Sequence, residues 1–294
     1  MYKKKENTIR WIFTILAFSS LFFLVGITIT LFISAWPAFQ EIGLFEFILG
    51  REWYPTYDPP DFGIFPLIMA SFLVTIGAAI ICVPLGLGSA LFINELASQQ
   101  QKALLKPIIE ILASIPSIVY GFFGMVVVAP YLQKLLQIPV GQTAFTGSLL
   151  LGIMATPTVC SISEDALSFV PNSFREASLA LGANRWQTLT KVTIPAAGSG
   201  ISTGIILGMS RAIGETMTVL MVTGGAAIIP TSFFQPVRPM TSTIAAEMGE
   251  AVVGSTHYHA LFAIGLILFL ITLIFNIIAE LISRRYRLKL GLGR

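Results

Sequence analysis

Two charged side chains, Arg211 and Glu215, interrupt an otherwise apolar segment that runs from residue 197 to residue 223. A guanidinium group suits oxyanions because its planar fork donates two parallel hydrogen bonds. A charge at the centre of a bilayer costs on the order of 2.5–3.5 kcal/mol, so such a residue is a functional candidate. The pattern has two interpretations. Either Arg211 lines the path of an oxyanion, with Glu215 as its resting partner or gate, or the two form a structural ion pair.

Three glycines precede this pair at intervals of four residues: Gly200, Gly204 and Gly208. A G-x-x-x-G stripe lets another helix approach closely. Continuing the stripe by three and then four residues reaches Arg211 and Glu215. We therefore expect tight helix packing along the stripe and both charges on the side of the helix that faces the bundle.

The sequence carries no motif for nucleotide binding or hydrolysis. G-x-x-x-x-G-K-[ST] is absent, as are HExxH and Ser-His-Asp patterns, so the chain is not expected to be an enzyme. His257 and His259 would point to different faces of a helix, and Cys82 and Cys160 lie in apolar stretches. Neither a metal site, a cofactor nor a disulfide framework is expected.

The composition indicates the environment of the chain. Of its 294 residues, 55% are hydrophobic and 11% are charged, whereas about 25% of the residues of soluble domains are charged. This excludes a soluble enzyme, a nucleic-acid-binding protein and a disordered protein. A polytopic protein in contact with membrane lipid is the class that remains.

Apolar stretches long enough to cross a bilayer define the architecture. A helix needs roughly 20 residues to span a core of about 30 Å, and the alternating pattern of β-barrels is missing. The sequence predicts an all-α, polytopic membrane helical bundle with six transmembrane helices, at about 11–34, 66–93, 108–130, 145–163, 198–223 and 259–282.

Basic residues are distributed unequally between the two sides of these spans. Of the 18 Lys and Arg residues, fourteen fall on the side of the termini, and only Arg51, Lys134 and Arg238 fall on the other side. Positive charge collects on the cytoplasmic side of membrane proteins. Both termini and the loop 164–196 are therefore predicted to be cytoplasmic.

An acidic, turn-rich segment after the first span divides the chain. Its sequence includes YPTYDPPDFG, and it separates the first helix from a five-helix remainder. The expected organisation is an N-terminal anchor helix with an acidic outer loop at 1–62, a core at 63–285 and a basic cytoplasmic tail at 286–294.

The cytoplasmic loop 164–196 is long among otherwise short connections. Between Pro171 and Pro195 its apolar residues follow a helical period, and Gly182 falls where a residue with positive φ would end one helix and precede the next. The loop is predicted to form a helical hairpin that either lies on the membrane surface or docks a cytoplasmic partner.

The spacing within this loop resembles the EAA loop of ABC importer permeases. That family has Glu-Ala-Ala, three residues, Gly, nine residues and Ile-x-Leu-Pro. This chain has Glu176-Ala177-Ser178, then Gly182, then Val192-x-Ile194-Pro195. The resemblance implies that Glu176, Ala177, Gly182 and Pro195 belong to a coupling element seated in a cleft of a separate ATPase subunit.

Two further segments resemble the phosphate-specific ABC importers: RAIGETMTVLMVTG at 211–224 and RPMTSTIAAEMGEA at 238–251. The resemblance, over about 63–285, implies a type I permease in a bacterial plasma membrane that imports inorganic phosphate. It also implies a second homologous permease, ATPase subunits and an external phosphate-binding protein as partners. The alternatives are a permease for another oxyanion, such as molybdate or sulfate, and a secondary transporter or channel that works without ATP.

Overall fold

The computed structural model describes the backbone of residues 2–289 and the side chains of residues 9–281 and 283. Its helices are α1 Tyr2–Ile42, α2 Leu44–Leu49, α3 Phe65–Leu91, α4 Gln99–Ser114, α5 Ser117–Phe123, α6 Ala129–Leu136, α7 Ala144–Ser168, α8 Asn172–Ala180, α9 Arg185–Thr188, α10 Ile194–Ile213, α11 Met217–Val222, α12 Met240–Glu247 and α13 Thr256–Lys289. Two strands, β1 Trp53–Tyr54 and β2 Asp61–Phe62, pair antiparallel, with Trp53 opposite Phe62. Three π-helical turns occupy Phe92–Leu96, Gly124–Val128 and Leu189–Thr193.

Helical segments long and apolar enough to cross a membrane number six within these residues: Ile9–Ile42, Phe65–Leu96, Ser117–Leu136, Ala144–Ser168, Arg185–Ile213 and Thr256–Leu281. The predicted all-α bundle with six spans is therefore confirmed. The side chains of Lys3, Lys4, Lys5 and of the basic residues from Arg284 onward, and residues 290–294 of the predicted tail, lie outside the described residues. The cytoplasmic side of the termini stays a prediction.

The third span differs from its predicted bounds of 108–130. The apolar run there is divided between α4 and the span Ser117–Leu136. The residue before a proline avoids the helical region, and Ile115, which precedes Pro116, has an extended backbone with ψ of 126°. Hydropathy alone does not register this break, because apolar residues continue on both sides of it.

The fifth span also ends earlier than the predicted 198–223. Helix α10 stops at Ile213, and a separate short helix, α11, begins at Met217. Glu215 falls in the gap, where its Oε1 accepts a hydrogen bond from the backbone N–H of Thr218 at 3.1 Å. Glu215 precedes the N-cap residue Thr216, and its carboxylate satisfies one backbone N–H of the first turn of α11. The continuous helix expected from the apolar run is therefore absent.

Local sequence explains where several other helices begin and end. Ser98 and Gln101 form a reciprocal capping box at the start of α4, a pairing that satisfies two otherwise free N–H groups. The first helix is followed by Gly43 at a φ of +87°, a conformation that glycine adopts without steric cost. Pro66 stands in the first turn of α3, where its missing N–H removes no helical hydrogen bond.

Helices α3, α7 and α10 form the centre of the bundle, and small residues bring them together. A Cβ on Gly86 would lie 2.7 Å from Val159 of α7, and one on Gly152 would lie 2.7 Å from Ile81 of α3. Helix α1 packs separately along α13, where Ala35 and Ala38 are fully buried with Ala260. The same cluster includes Phe47 and Trp53, so α2 and the hairpin are packed onto the bundle.

Candidate functional site

The predicted coupling loop folds as two short helices between two spans. Helix α7 continues through Glu164 to Ser168, so the connection is shorter than 164–196 and consists of α8, a turn and the start of α9. Asn184 and Gln187 form a capping box at the start of α9. The hydroxyl groups of Ser178 and Thr188 are 3.0 Å apart and hydrogen-bond across the two helices. A helical hairpin is therefore present at this position.

Gly182 forms the turn between α8 and α9. Its φ is +83°. Glycine adopts this left-handed backbone region without steric cost and asparagine tolerates it, whereas most other residues are disfavoured there. A Cβ added to Gly182 would have no atom within 4 Å. The backbone conformation, and not a lack of space, is therefore what favours glycine here.

Exposed apolar side chains cover the outer side of the hairpin. Leu181 is 90% exposed and Trp186 is 70% exposed. A groove of about 640 Å³ runs past Ala177 and Gly182, and Glu176 is exposed on the same helix. Exposed apolar side chains grouped on one short hairpin favour an interaction site. We call this the coupling surface: Phe174, Glu176, Ala177, Leu179, Leu181 and Trp186.

Pro195 stands apart from the coupling surface. It lies in the first turn of α10 and is half-buried. The π-helical turn Leu189–Thr193 leads directly into α10, so Pro195 lies inside a helix that is continuous from Arg185 to Ile213. Pro195 therefore belongs to this membrane helix, while Glu176, Ala177 and Gly182 are grouped on the exposed hairpin.

An ion pair fixes α4 beneath the end of α7. Lys106 Nζ lies 2.6 Å from Glu164 Oε2, and the Glu164 side chain is almost fully buried. The hydrogen bond to Glu164 raises the pKa of Lys106 above its ordinary value, so the lysine stays charged. The structure therefore joins Lys106 to a carboxylate on another helix, whereas sequence spacing would pair it with Glu110 on its own helix.

Arg211 lies in the last turn of α10 and is exposed at the surface of the chain. One turn earlier, Gly208 faces Val159 and approaches the backbone oxygen of Ala155, near the middle of α7. Arg211 is therefore close to mid-depth of the bundle.

Glu215 does not share the environment of Arg211. The two side chains form no ion pair in the described part of the chain, and the Glu215 carboxylate accepts the N–H of Thr218 in the first turn of α11. Its backbone oxygen also accepts a 2.7 Å hydrogen bond from Thr241 Oγ1. The break after Ile213 removes the helical register that would have aligned both charges, so the predicted resting pair is not formed in this structure.

The glycine stripe packs against α7 of the same chain. A Cβ on Gly200 would collide with Ala166, one on Gly204 would lie 3.1 Å from Ser163 Oγ, and one on Gly208 would lie 2.5 Å from Val159 Cγ2. Helix α10 therefore touches α7 along its small residues. Arg211, which was predicted to face the bundle with them, is instead exposed at the surface of the chain, because the close contact with α7 does not extend to its side chain.

Replacing Gly208 with alanine is expected to lower the stability of the protein by about 1–3 kcal/mol, the usual effect of overpacking. Val159 is β-branched and has few rotamers with which to yield. Gly198→Ala is the matched control, because a Cβ on Gly198 has no atom within 4 Å. Thermal unfolding of the purified protein in detergent measures the difference. Equal transition temperatures for the two variants would contradict the packing described above.

Glu247 joins three segments on the side of the bundle opposite the helical hairpin α8–α9. Its carboxylate accepts hydrogen bonds from Trp53 Nε1 at 3.1 Å, from Arg238 Nη1 at 2.5 Å and from His257 Nε2 at 2.9 Å. Arg238 Nε also donates to the backbone oxygen of Gly225 at 2.7 Å. We call this group the Glu247 cluster. It ties the β-hairpin, the loop before α12 and the start of α13 together.

Two residues of these sites escaped the sequence interpretation: Arg175, which contacts the end of α3, and Glu247. Glu95, the partner of Arg175, lies 80 positions away in the chain. Of the partners of Glu247, Trp53 lies 194 positions away, and Arg238 and His257 lie 9 and 10 positions away. Each residue was visible only as one charge in a polar loop. No local spacing signal points to these contacts, because they arise from the tertiary fold.

Comparison with known proteins places the chain among transport proteins. Residues 82–288 match the family model described as "Binding-protein-dependent transport system inner membrane component". The chain is 39% identical over 263 residues to "Probable ABC transporter permease protein YqgH" of Bacillus subtilis, which covers 89% of this chain and 85% of the relative. It is 35% identical over 285 residues to "Phosphate transport system permease protein PstC" of Mesorhizobium japonicum, with 90% and 86% covered.

Solved structures agree in fold. A bacterial alginate ABC transporter superposes with a TM-score of 0.66 at 15% identity, covering 96% of both chains. The MetNI methionine ABC transporter superposes with a TM-score of 0.56 at 20% identity, covering 76% of this chain and 94% of the other. At these identities the likeness concerns the fold alone.

Proposed function

Because the chain belongs to the family of binding-protein-dependent transport system inner membrane components, we propose that it is the PstC-like permease of an ATP-driven importer of inorganic phosphate. One observation carries the proposal. Relatives named as PstC phosphate permeases are 35%, 33% and 34% identical to this chain and cover about nine tenths of it. The chain is a multi-pass membrane protein, and the proposed site is the bacterial plasma membrane.

The position of Arg211 supports an anionic substrate. An exposed guanidinium near mid-depth, without an ion-pair partner in the described part of the chain, is costly in lipid and useful beside an anion. A second permease that packs over the exposed Arg211 side chain would enclose a path for the anion. Arg211 would then donate two hydrogen bonds to a pair of phosphate oxygens. Glu215, just before α11 and about one turn further on, would act as a gate on the anion path.

The coupling surface supports a cytoplasmic ATPase as partner. In the proposed complex, Glu176, Ala177 and Gly182 contact a PstB-like ATPase subunit, and a PstA-like permease completes the membrane unit. A PstS-like phosphate-binding protein docks on the outer side, near the Glu247 cluster. Residues 1–62 then serve as anchor and outer loop, and 63–285 as the permease core with both termini in the cytoplasm.

Reconstitution of the purified complex into proteoliposomes tests the proposal. With the binding protein outside and ATP inside, labelled phosphate should accumulate, and excess sulfate or molybdate should leave that uptake unchanged. Competition by molybdate or sulfate would indicate another oxyanion as substrate. Uptake that continues without ATP and without a co-purified ATPase would identify a secondary transporter or channel instead.

A further inference from the structure

Arg175 lies in the coupling helix α8, directly before Glu176, but its side chain reaches toward the membrane helices. Its Nη2 lies 2.6 Å from Glu95 Oε1 and 3.1 Å from Asn94 Oδ1. The side chains of Arg175 and Glu95 are only 24% and 22% exposed. An ion pair that is largely shielded from water is screened far less than a surface pair. The contact is therefore a firm attachment between α8 and another element.

That element is the π-helical turn Phe92–Leu96, which continues α3 at its cytoplasmic end. Lys102 Nζ donates to the backbone oxygen of Asn94 in the same turn, at 2.8 Å. Such π-helical turns interrupt the regular hydrogen-bond ladder and recur at functional sites. The turn is therefore held from two sides, by Arg175 from α8 and by Lys102 from α4.

Helix α3 extends from this turn to the other side of the bundle. Its 27 residues correspond to about 40 Å of helix. Near the far end, Ser71 Oγ accepts a hydrogen bond of 2.9 Å from the backbone N–H of Met240, the first residue of α12. Helix α12 ends at Glu247, the centre of the Glu247 cluster. Helix α3 is continuous across Pro84, so one helix connects the π-helical turn to these outer segments.

Arg175 also donates to Asn172 Oδ1 within α8 at 3.2 Å and to the backbone oxygen of Leu167 at the end of α7 at 3.3 Å. The hydrogen bond between Ser178 and Thr188 stays within the hairpin, so the ion pair with Glu95 is the contact that joins α8 to the end of α3. We propose that the Arg175–Glu95 ion pair is the mechanical link by which movement of α8 displaces α3. The proposal rests on the proposed function, because it assigns the force on α8 to an ATPase docked on the coupling surface. Arg175 and Glu95 are positioning residues and need not touch the transported anion.

The test compares phosphate uptake with ATP hydrolysis in the same reconstituted complex. Glu95→Gln and Arg175→Gln should leave the complex assembled and its ATPase active, while phosphate imported per ATP falls roughly tenfold. Arg185→Gln is the matched control, since Arg185 is an exposed arginine of the same hairpin and forms no ion pair within the described residues. If both variants import as much phosphate per ATP as Arg185→Gln does, the proposal is overturned.

If a single variant does not assemble, the double variant Glu95→Arg with Arg175→Glu, which exchanges the two charges, tests the link. Recovery of the wild-type ratio supports the link, and an assembled complex that stays uncoupled overturns it.

A spin-label distance between Leu96→Cys and Ser173→Cys gives a readout that does not depend on the substrate. Both positions are exposed, and the native cysteines are buried. The distance should stay constant between nucleotide-free and nucleotide-trapped complexes, and it should change with nucleotide in Glu95→Gln. The same behaviour with and without Glu95→Gln would overturn the link even if phosphate proves not to be the substrate.

Discussion

Valine at position 182 should abolish phosphate uptake while leaving membrane insertion intact. Gly182 has a φ of +83°, and a residue with a side chain loses about 1–2 kcal/mol in this region, more if it is β-branched. That penalty changes the population of the native turn roughly 5- to 30-fold. The turn between α8 and α9 would open and displace the coupling surface, although the spans of the bundle would be unaffected.

Two controls separate conformation from bulk at this glycine. Gly182→Asn should retain most of the uptake, because asparagine tolerates left-handed backbone. Gly198→Val adds the same side chain where a Cβ has no atom within 4 Å and where φ is not positive. Uptake and ATP hydrolysis are measured in the assembled complex. An assembled Gly182→Val complex with wild-type uptake would show that this turn does not transmit the ATPase movement.

Removing the charge of Arg211 should lower phosphate uptake roughly 10- to 100-fold, because hydrogen bonds to charged groups contribute about 1.5–3 kcal/mol. Arg211→Lys should also be impaired, since an ammonium group does not reproduce the bidentate fork. The complex should still assemble, because Arg211 leaves no unpaired carboxylate behind: Glu215 is hydrogen-bonded to Thr218 instead. Uptake of labelled phosphate into proteoliposomes is the measurement.

Glu215→Gln tests the structural-pair alternative. It removes one charge but keeps a side-chain oxygen for the N–H of Thr218, so the first turn of α11 should keep this hydrogen bond. If Arg211 and Glu215 acted only as a structural pair, Glu215→Gln should be as harmful as Arg211→Gln, and the double variant should recover. Near wild-type uptake by Arg211→Gln would remove the residue from the anion path.

The number and class of the spans could be predicted from the sequence because the length of an apolar run is a local property. The course of the chain within those runs could not. Pro116 and Gly214 stand at breaks inside apolar stretches, and apolar residues continue on both sides of each break. The predicted side-by-side placement of Arg211 and Glu215 depended on an unbroken helix and was lost with it.

The turn at Gly182 was predictable because its signal is local in the sequence. A glycine between two segments of helical period is a local signal for a positive φ, and the structure has a φ of +83° there. The attachment of the hairpin to the bundle was not predictable, because Arg175 and Glu95 meet only after α3 and α7 have packed. For charged residues in loops, sequence patterns therefore say least about which residues of the chain they contact.

The Glu247 cluster has a consequence for how the outer face meets another protein. The segment 224–255 contains glycines and little regular structure, yet Arg238 and Glu247 hold it to the hairpin and to His257. Flexible loops lose conformational entropy when they bind, and this loss weakens association. Here the ordering takes place during folding, so a binding protein that docks on this face, as proposed, would meet a preorganised surface. Loss of the carboxylate at Glu247 would therefore weaken that association even if every contacting residue remained.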